Sequence, residues 1–269
     1  MIFGKQCAVF VQSVVLLAVG ICLAQPGSSQ AEERLIRLGM SESGYPPYLM
    51  PKGDAFFGIV GDAIKAVAKT INYRVEMIVL PKKRLQEEIK KGHVDAVAGA
   101  IEWRHDPADT IWTDSIIQVS DNVVMTRATM PDQAKATSAP RFASQELAGK
   151  TIAVMHGYRY PSLEKMIADG TISVTRVHRF SSLLQMVQGN RADYGILDQN
   201  VAKWVIRTKK LKFTPALAFA APGFDEVAFL AILFPTRDWA PFVKEFNKAL
   251  KQYKSSAAWK ALLDEYRKI

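Results

Sequence analysis

Hydrophobic and polar positions along the chain change period repeatedly, and each change marks an element. Leu35, Ile36 and Leu38 fall in a first strand, Arg34 to Gly39, followed by a polar loop stiffened by prolines, Ser41 to Tyr48. From Gly58 to Thr70 the apolar residues Ile59, Ala63, Ile64, Val67 and Ala68 recur at helical spacing. A second strand, Tyr73 to Leu80, runs into Pro81, which suits the entry of a helix that reaches Lys91 and stops at Gly92. The next strand spans His93 to Ile101. Strands alternating with helices in this way predict a largely parallel sheet.

Beyond Trp112 the pattern predicts an extended crossover strand, Ile116 to Thr126, and then a surface excursion, Arg127 to Gln145, rich in Pro, Ala, Ser and Thr. A second α/β unit opens with Gly149 to Met155, turns at His156-Gly157-Tyr158 and enters a helix near Pro161 that ends at Gly170. It continues as strand Ser173 to Val177, helix Ser181 to Gln188, strand Tyr194 to Leu197 and helix Asn200 to Thr208. Val227 to Leu233 reads as a last strand, and the helices Trp239 to Tyr253 and Ser256 to Tyr266 close the chain.

The segments Lys90 to Ala100 and Arg191 to Ala202, about a hundred residues apart, resemble each other. In both a polar helix stops at Gly or Gly-Asn, an aspartate follows (Asp95, Asp193), and a buried strand ends in small or polar residues. Two similar α/β lobes are implied, each with its own core. Ligands of open parallel sheets bind at strand ends, so a cleft between the lobes is the natural site.

Composition narrows the setting. Lys5 precedes an apolar run from Ala8 to Leu23, and Ser29 and Ala31 supply small residues before a cut at Glu32, the signature of a cleavable export signal over residues 1–31. Both cysteines, Cys7 and Cys22, lie within it, so the exported chain has no thiol for a disulfide or a catalytic nucleophile. Removal of Lys5, the only charged side chain of that segment, takes the formal net charge from +9 to +8. The basic residues are dispersed rather than gathered in a strip, which argues against nucleic acid. The four histidines lack the spacing and acidic partners of a metal site, and no nucleophile elbow or phosphate loop is present.

The order of Tyr45-Pro46-Pro47-Tyr48, Gly58-Ile59-Val60-Gly61-Asp62, Gly92-His93-Val94-Asp95-Ala96 and the late Asp198 resembles the periplasmic solute-binding proteins of family 3, which serve polar amino-acid ABC importers. The resemblance covers essentially the whole exported chain. It implies the type II periplasmic binding protein fold: two Rossmann-like lobes joined by two crossover strands. Residues 32–118 would begin lobe one, 119–228 would form lobe two with the first hinge strand, and 229–269 would carry the second hinge and return to lobe one.

Site residues are implied by the same resemblance. Tyr45 would lie against the apolar part of the solute and Glu42 would read a basic group. Asp198 would hold the solute ammonium, or else N-cap the helix after it. Arg104 would clamp the carboxylate, although it stands earlier in the chain than the family's arginine, at whose place an ungapped alignment puts Asp106. Main-chain N–H groups at Gly157 and Tyr158, at a helix N-terminus, would complete the anion site, with Arg159 beside them. Lys82 would replace an aromatic wall, and Trp103 would supply the missing aromatic face.

The implied activity is capture of an amino-acid-like carboxylate in the periplasm and its delivery to an ABC permease. No cofactor or metal is called for, and a monomer is expected. Two alternatives stay open: a cyclohexadienyl dehydratase-like enzyme using Glu102 as acid or base, and a sensory module presenting its closed form to a membrane receptor.

Overall fold

The computed structural model describes residues 34–53, 55–100, 102, 109–126, 141–214, 216–223 and 227–268. The proposed export signal and its cysteines therefore lie outside the described residues, as does most of the 127–145 excursion. The chain opens with β1 (Arg34–Ser41), a hairpin of β2 (Met50–Lys52) and β3 (Ala55–Phe57), α1 (Ile59–Thr70), β4 (Tyr73–Leu80), α2 (Lys82–Lys90) and β5 (Ala96–Ala100). The short β6 (Ile111–Trp112) and the long β7 (Ile117–Thr126) follow. The second unit contains β8 (Arg141–Phe142), β9 (Thr151–Met155), α3 (Glu164–Ala168), β10 (Ser173–Val177), α4 (Phe180–Gln188), β11 (Tyr194–Asp198), α5 (Gln199–Thr208) and β12 (Leu217–Pro222). The return is made by β13 (Val227–Phe234), α6 (Ala240–Lys254) and α7 (Ala257–Lys268).

Strand order is β10-β9-β11-β7-β13-β5-β1-β4. The groups β4-β1-β5 and β10-β9-β11 are each parallel, whereas β7 and β13 run antiparallel to each other and to their outer neighbours. The crossover strand β7 is shared along its length. Ile117–Ser120 pair with β13, while Asp121–Val124 pair with β11 and Val123–Thr126 with β12. One strand thus enters the sheets of both lobes, which is the crossover expected from the sequence.

Local chemistry sets the element ends. Helix α1 buries Ile59, Val60, Ala63, Ile64 and Val67 on one face, and Gly58 precedes it at φ 113°. A Cβ at Gly58 would stand 2.6 Å from the Tyr48 carbonyl oxygen and 2.7 Å from that of Pro47, so only glycine fits where the loop turns into the helix. Tyr266 of α7 donates its hydroxyl to Asp62 at 2.7 Å and accepts the Gly58 N–H at 2.7 Å, tying the chain's end to this turn.

Three expectations are corrected. The helix predicted from Pro161 to Gly170 is a 3-10 turn, Pro161–Leu163, and the five-residue α3. The strand predicted from His93 begins only at Ala96, because Gly92 to Asp95 form a helix cap and a clamp. The lobes do not have wholly separate cores: the largest buried cluster joins Leu38, Ala63 and Ile64 of lobe one to Leu183, Leu184 and Val201 of lobe two. Tyr45, Tyr48 and Phe180 belong to that same cluster. A second cluster around Val123, Phe142, Ile152 and Leu163 fills the far side of lobe two.

Candidate functional site

Asp198 ends β11 and begins α5. Its Oδ1 accepts the main-chain N–H of Asn200 at 2.8 Å and of Val201 at 3.0 Å, the bonds of an N-cap. The Tyr48 hydroxyl, from the loop after β1, lies 3.3 Å from each carboxylate oxygen and accepts the Asn200 side-chain N–H at 3.0 Å. These contacts span the two lobes. Asp198 is only 3% exposed, and burial raises its pKa against the lowering pull of those hydrogen bonds.

Around this carboxylate opens a pocket of about 290 Å³, lined by Tyr48, Gln118, Val119, Ser120, Asn122, Asp198, Gln199 and Asn200. Strand β7 supplies alternate polar side chains to it, since residues two apart share a strand face. Asn122 also accepts the Gln199 N–H at 3.0 Å, fixing β7 to the start of α5. The lining has amides, hydroxyls and one carboxylate, and among the described residues it has no Lys, Arg or His.

Beside the pocket four aromatic rings meet. Tyr45 stacks on Tyr48 with centroids 5.4 Å apart, and from the other lobe Tyr158 and Phe180 approach Tyr45 to 6.4 and 6.1 Å. Tyr158 and Phe180 are themselves 6.4 Å apart. Burial pushes the Tyr45 hydroxyl well up, and the charges of Asp121 and Asp198 push it further. Burial and Asp121 raise Tyr158 likewise. Asp121 is the cross-strand partner of Asp198 in the β7–β11 register, so two carboxylates border the rings.

A polar pocket at a junction of two parallel-sheet lobes, set against a shared crossover strand, is an arrangement that takes small solutes. Residues 36–269 match the model of the bacterial extracellular solute-binding proteins, family 3. The chain belongs to this family.

Among relatives of this family 3 protein is the probable amino-acid-binding protein YxeM of Bacillus subtilis (strain 168), 22% identical over 264 residues, 97% of this chain and 95% of the relative. The arginine-binding extracellular protein ArtP of the same organism is 22% identical over 250 residues, 92% of each chain. In fold, an ancestral arginine-binding protein bound to arginine superposes with TM-score 0.65 at 18% identity, covering 87% of this chain and 99% of that one. A histidine kinase sensor domain similar to periplasmic binding proteins shares the fold at TM-score 0.65 and 16% identity, over 87% of this chain and 96% of that one. So does AncCDT-1, an ancestral amino-acid-binding protein described as a precursor of cyclohexadienyl dehydratase, at TM-score 0.61 and 17% identity, over 86% and 95%.

Of the family 3 site residues expected from sequence, the structure brings Tyr45, Tyr158 and Asp198 together. Glu42 is exposed on the loop after β1. Lys82 is the first residue of α2, and its side chain lies outside the described residues, as do Trp103 and Arg104 altogether. Gly157 sits at φ 76° in the turn after β9, where the Tyr158 N–H donates to the Met155 carbonyl at 3.3 Å. The helix dipole expected behind this turn is weak, because α3 has one turn and begins only at Glu164. The Arg159 guanidinium, beside this turn, pairs with Glu164 at 2.6 Å. Sequence reasoning missed Tyr48, Asp121, Asn200 and Phe180. The second tyrosine of Tyr45-Pro46-Pro47-Tyr48 was a legible signal, while Phe180 at a helix start reads as ordinary core.

Proposed function

We propose that this protein is an extracytoplasmic solute-binding protein that captures an amino-acid-like small carboxylate in the interlobe cleft and delivers it to an ABC importer. The observation that carries this reading is the polar pocket beside Asp198, bordered by residues of both lobes, in a chain matched to family 3 from residue 36 to 269. The names of the relatives, an amino-acid-binding and an arginine-binding protein, support a solute of that class. In this reading Asp198 supplies negative charge to the ammonium end, Tyr45 covers the apolar part, and Arg104 with Trp103 takes the carboxylate. Glu42, Lys82 and the Gly157–Tyr158 turn border the entrance. Residues 1–31 direct export, and the mass of the exported chain tests this directly: it should begin near Glu32, and a retained Met1 overturns it.

A thermal-shift screen of standard and non-standard amino acids, followed by calorimetry, tests the function. The departures around Arg104 and Asp106 predict weak responses to the standard polar set and a firm response to a carboxylate outside it. Submicromolar binding of glutamine, histidine or arginine overturns the specificity, and no response to any amino-acid-like carboxylate overturns the function. Arg104→Lys should lose roughly tenfold or more, since an ammonium cannot make the two parallel bonds of a guanidinium to a carboxylate. Normal affinity in that variant removes Arg104 from the site.

The sensor domain of the same fold supports a second reading, in which closure is read by a membrane receptor. Uptake of labelled solute by cells lacking the gene separates the two: it is lost if the protein feeds an importer and retained if it feeds a receptor. For the enzymatic alternative, Glu102 is the candidate, but its Oε2 accepts the Phe229 N–H at 3.2 Å, a bond that ties it to β13. Conversion of the bound solute, followed by mass spectrometry, would reinstate catalysis.

A further inference from the structure

Three strands of lobe two, β10, β9 and β11, end side by side. Parallel pairing of β9 with β10 runs from Thr151 against Ser173 to Met155 against Val177, and the His156 N–H carries the ladder one step further by donating to the Val177 carbonyl at 2.7 Å. His156 and His178 therefore stand abreast just past the ends of neighbouring strands. Their ring centroids are 4.5 Å apart, with the planes inclined at 44°. The Gly195–Ala153 pairing, carried on three residues, sets Asp198 of β11 level with His156 on its other side. Carboxyl ends of parallel strands are where open sheets meet their ligands. Two residues beyond each histidine, Tyr158 and Phe180 meet Tyr45 of lobe one, which places the pair at the border of the cleft.

Both imidazoles are exposed, and among the described residues neither has a hydrogen-bond or ion-pair partner; their contact is with each other. A metal held by two imidazole nitrogens at about 2.0 Å each separates the ring centroids by about 4.5 Å when the nitrogens stand at a right angle, and by about 5.1 Å at the tetrahedral angle. The observed separation fits the right angle. A half-turn of a histidine ring exchanges nitrogen for carbon and leaves its centroid in place, so the choice of nitrogen needs no movement of the fold. Asp198 does not join the pair, because its carboxylate is taken by the N-cap of α5 and by Tyr48. Among the described residues no cluster of three histidines, cysteines or carboxylates forms a metal cage. Arg179, next in the chain to His178, adds positive charge. Such a place does not suit hard cations, which need several oxygen donors, and suits a late first-row ion bound through neutral nitrogen.

We propose that His156 and His178 form a metal site on the cleft border of lobe two, taking copper(II) or nickel(II) through two imidazole nitrogens at a right angle. The ion's other positions are left to water or to the oxygen and nitrogen donors of a solute. The site goes beyond the solute-capture reading and stands without it, since lobe two alone supplies both ligands. Tetragonal nitrogen and oxygen coordination selects these two ions over zinc, and copper binds such donors more tightly than nickel.

The test is calorimetric titration of the exported chain with copper(II) alone in a buffer that does not chelate, with pulsed electron paramagnetic resonance on the one-to-one complex to count bound imidazoles. The first ion should bind with two imidazole nitrogens, nickel(II) should bind more weakly, and excess magnesium or calcium should displace neither. His156→Ala and His178→Ala should each leave one imidazole and lose roughly tenfold or more in affinity, because the second imidazole acts at high effective concentration once the first is bound. Both side chains are exposed, so thermal melts of these variants without metal should match the wild type. His93→Ala, which removes the histidine beside Glu88, should bind as the wild type does. No binding by the wild type, a single imidazole in its spectrum, or a loss confined to one of the two alanine variants overturns the proposal. A loss in His93→Ala equal to theirs does the same. Solute capture is left standing by each of these results.

Discussion

Asp198 answers two demands that pull its protonation in opposite directions. As an N-cap and as the charge of the pocket it is best ionised, yet burial disfavours the ionised form and raises its pKa. A carboxylate whose pKa is raised by folding contributes stability below the ordinary carboxylate range and loses it as pH rises through the raised value. Asp198→Asn, which caps as well and carries no charge, should therefore melt above the wild type at pH 7 in the absence of solute. The gap should close as the pH falls below the ordinary carboxylate range, and thermal melts across pH check it. Asp198→Ala lacks the cap and should fall about 1 kcal/mol below the Asn protein. Both should lose about 2–5 kcal/mol of binding to a cationic solute. An Asn protein that melts below the wild type at pH 7 would show that the charge stabilises the fold. Asp198 was legible because an acidic residue at a strand end, just before a helix, has few roles. Tyr48 was visible as the second tyrosine of its motif, but its partners were not, because they lie 150 and 152 positions away and nothing local announces them.

The repeated segments of the sequence prove to be one device built twice. After α2, Gly92 at φ 71° donates to the Ile89 carbonyl and His93 to that of Glu88; after α4, Asn190 at φ 52° donates to Val187 and Arg191 to Met186. This paired pattern is a Schellman cap. A buried residue follows in each, Val94 or Ala192, and then the aspartate. Asp95 N–H donates to the Arg37 carbonyl at 2.9 Å while its carboxylate accepts the Arg37 N–H at 2.7 Å. Asp193 does the same with Thr151, at 2.8 Å in both directions. Each aspartate thus sets its strand in register with a parallel neighbour. Asp193→Ala leaves the Thr151 N–H unpaired and should cost about 1–3 kcal/mol in urea unfolding. Asp95→Ala should cost a similar amount, its ion pair with the part-exposed Arg37 adding little. Losses below about 0.5 kcal/mol in both would show that water replaces the clamp. Elements with strong periodicity were legible to within a few residues. Strand β12, Leu-Ala-Phe-Ala-Ala-Pro, was missed because its small residues carry no alternation, and α3 was overextended because Pro161 and Gly170 mark ends but not the residues between.

At the scale of the molecule, β7 and β13 are the strands through which the lobes are joined, and the aromatic cluster is where their cores meet. The alternation of strands and helices made the two-lobe fold legible. The bridging of the cores was not, since it depends on rings from Tyr45 and Phe180, far apart in the chain, meeting across the cleft. If the cleft captures its solute, binding must favour the arrangement in which both lobes touch it, with rotation absorbed by a few residues of the crossover strands. Small-angle scattering on the exported chain, with and without a solute found by the thermal-shift screen, measures this most directly. The account predicts a smaller radius of gyration at saturation. An unchanged radius with the site fully occupied would contradict capture by lobe closure.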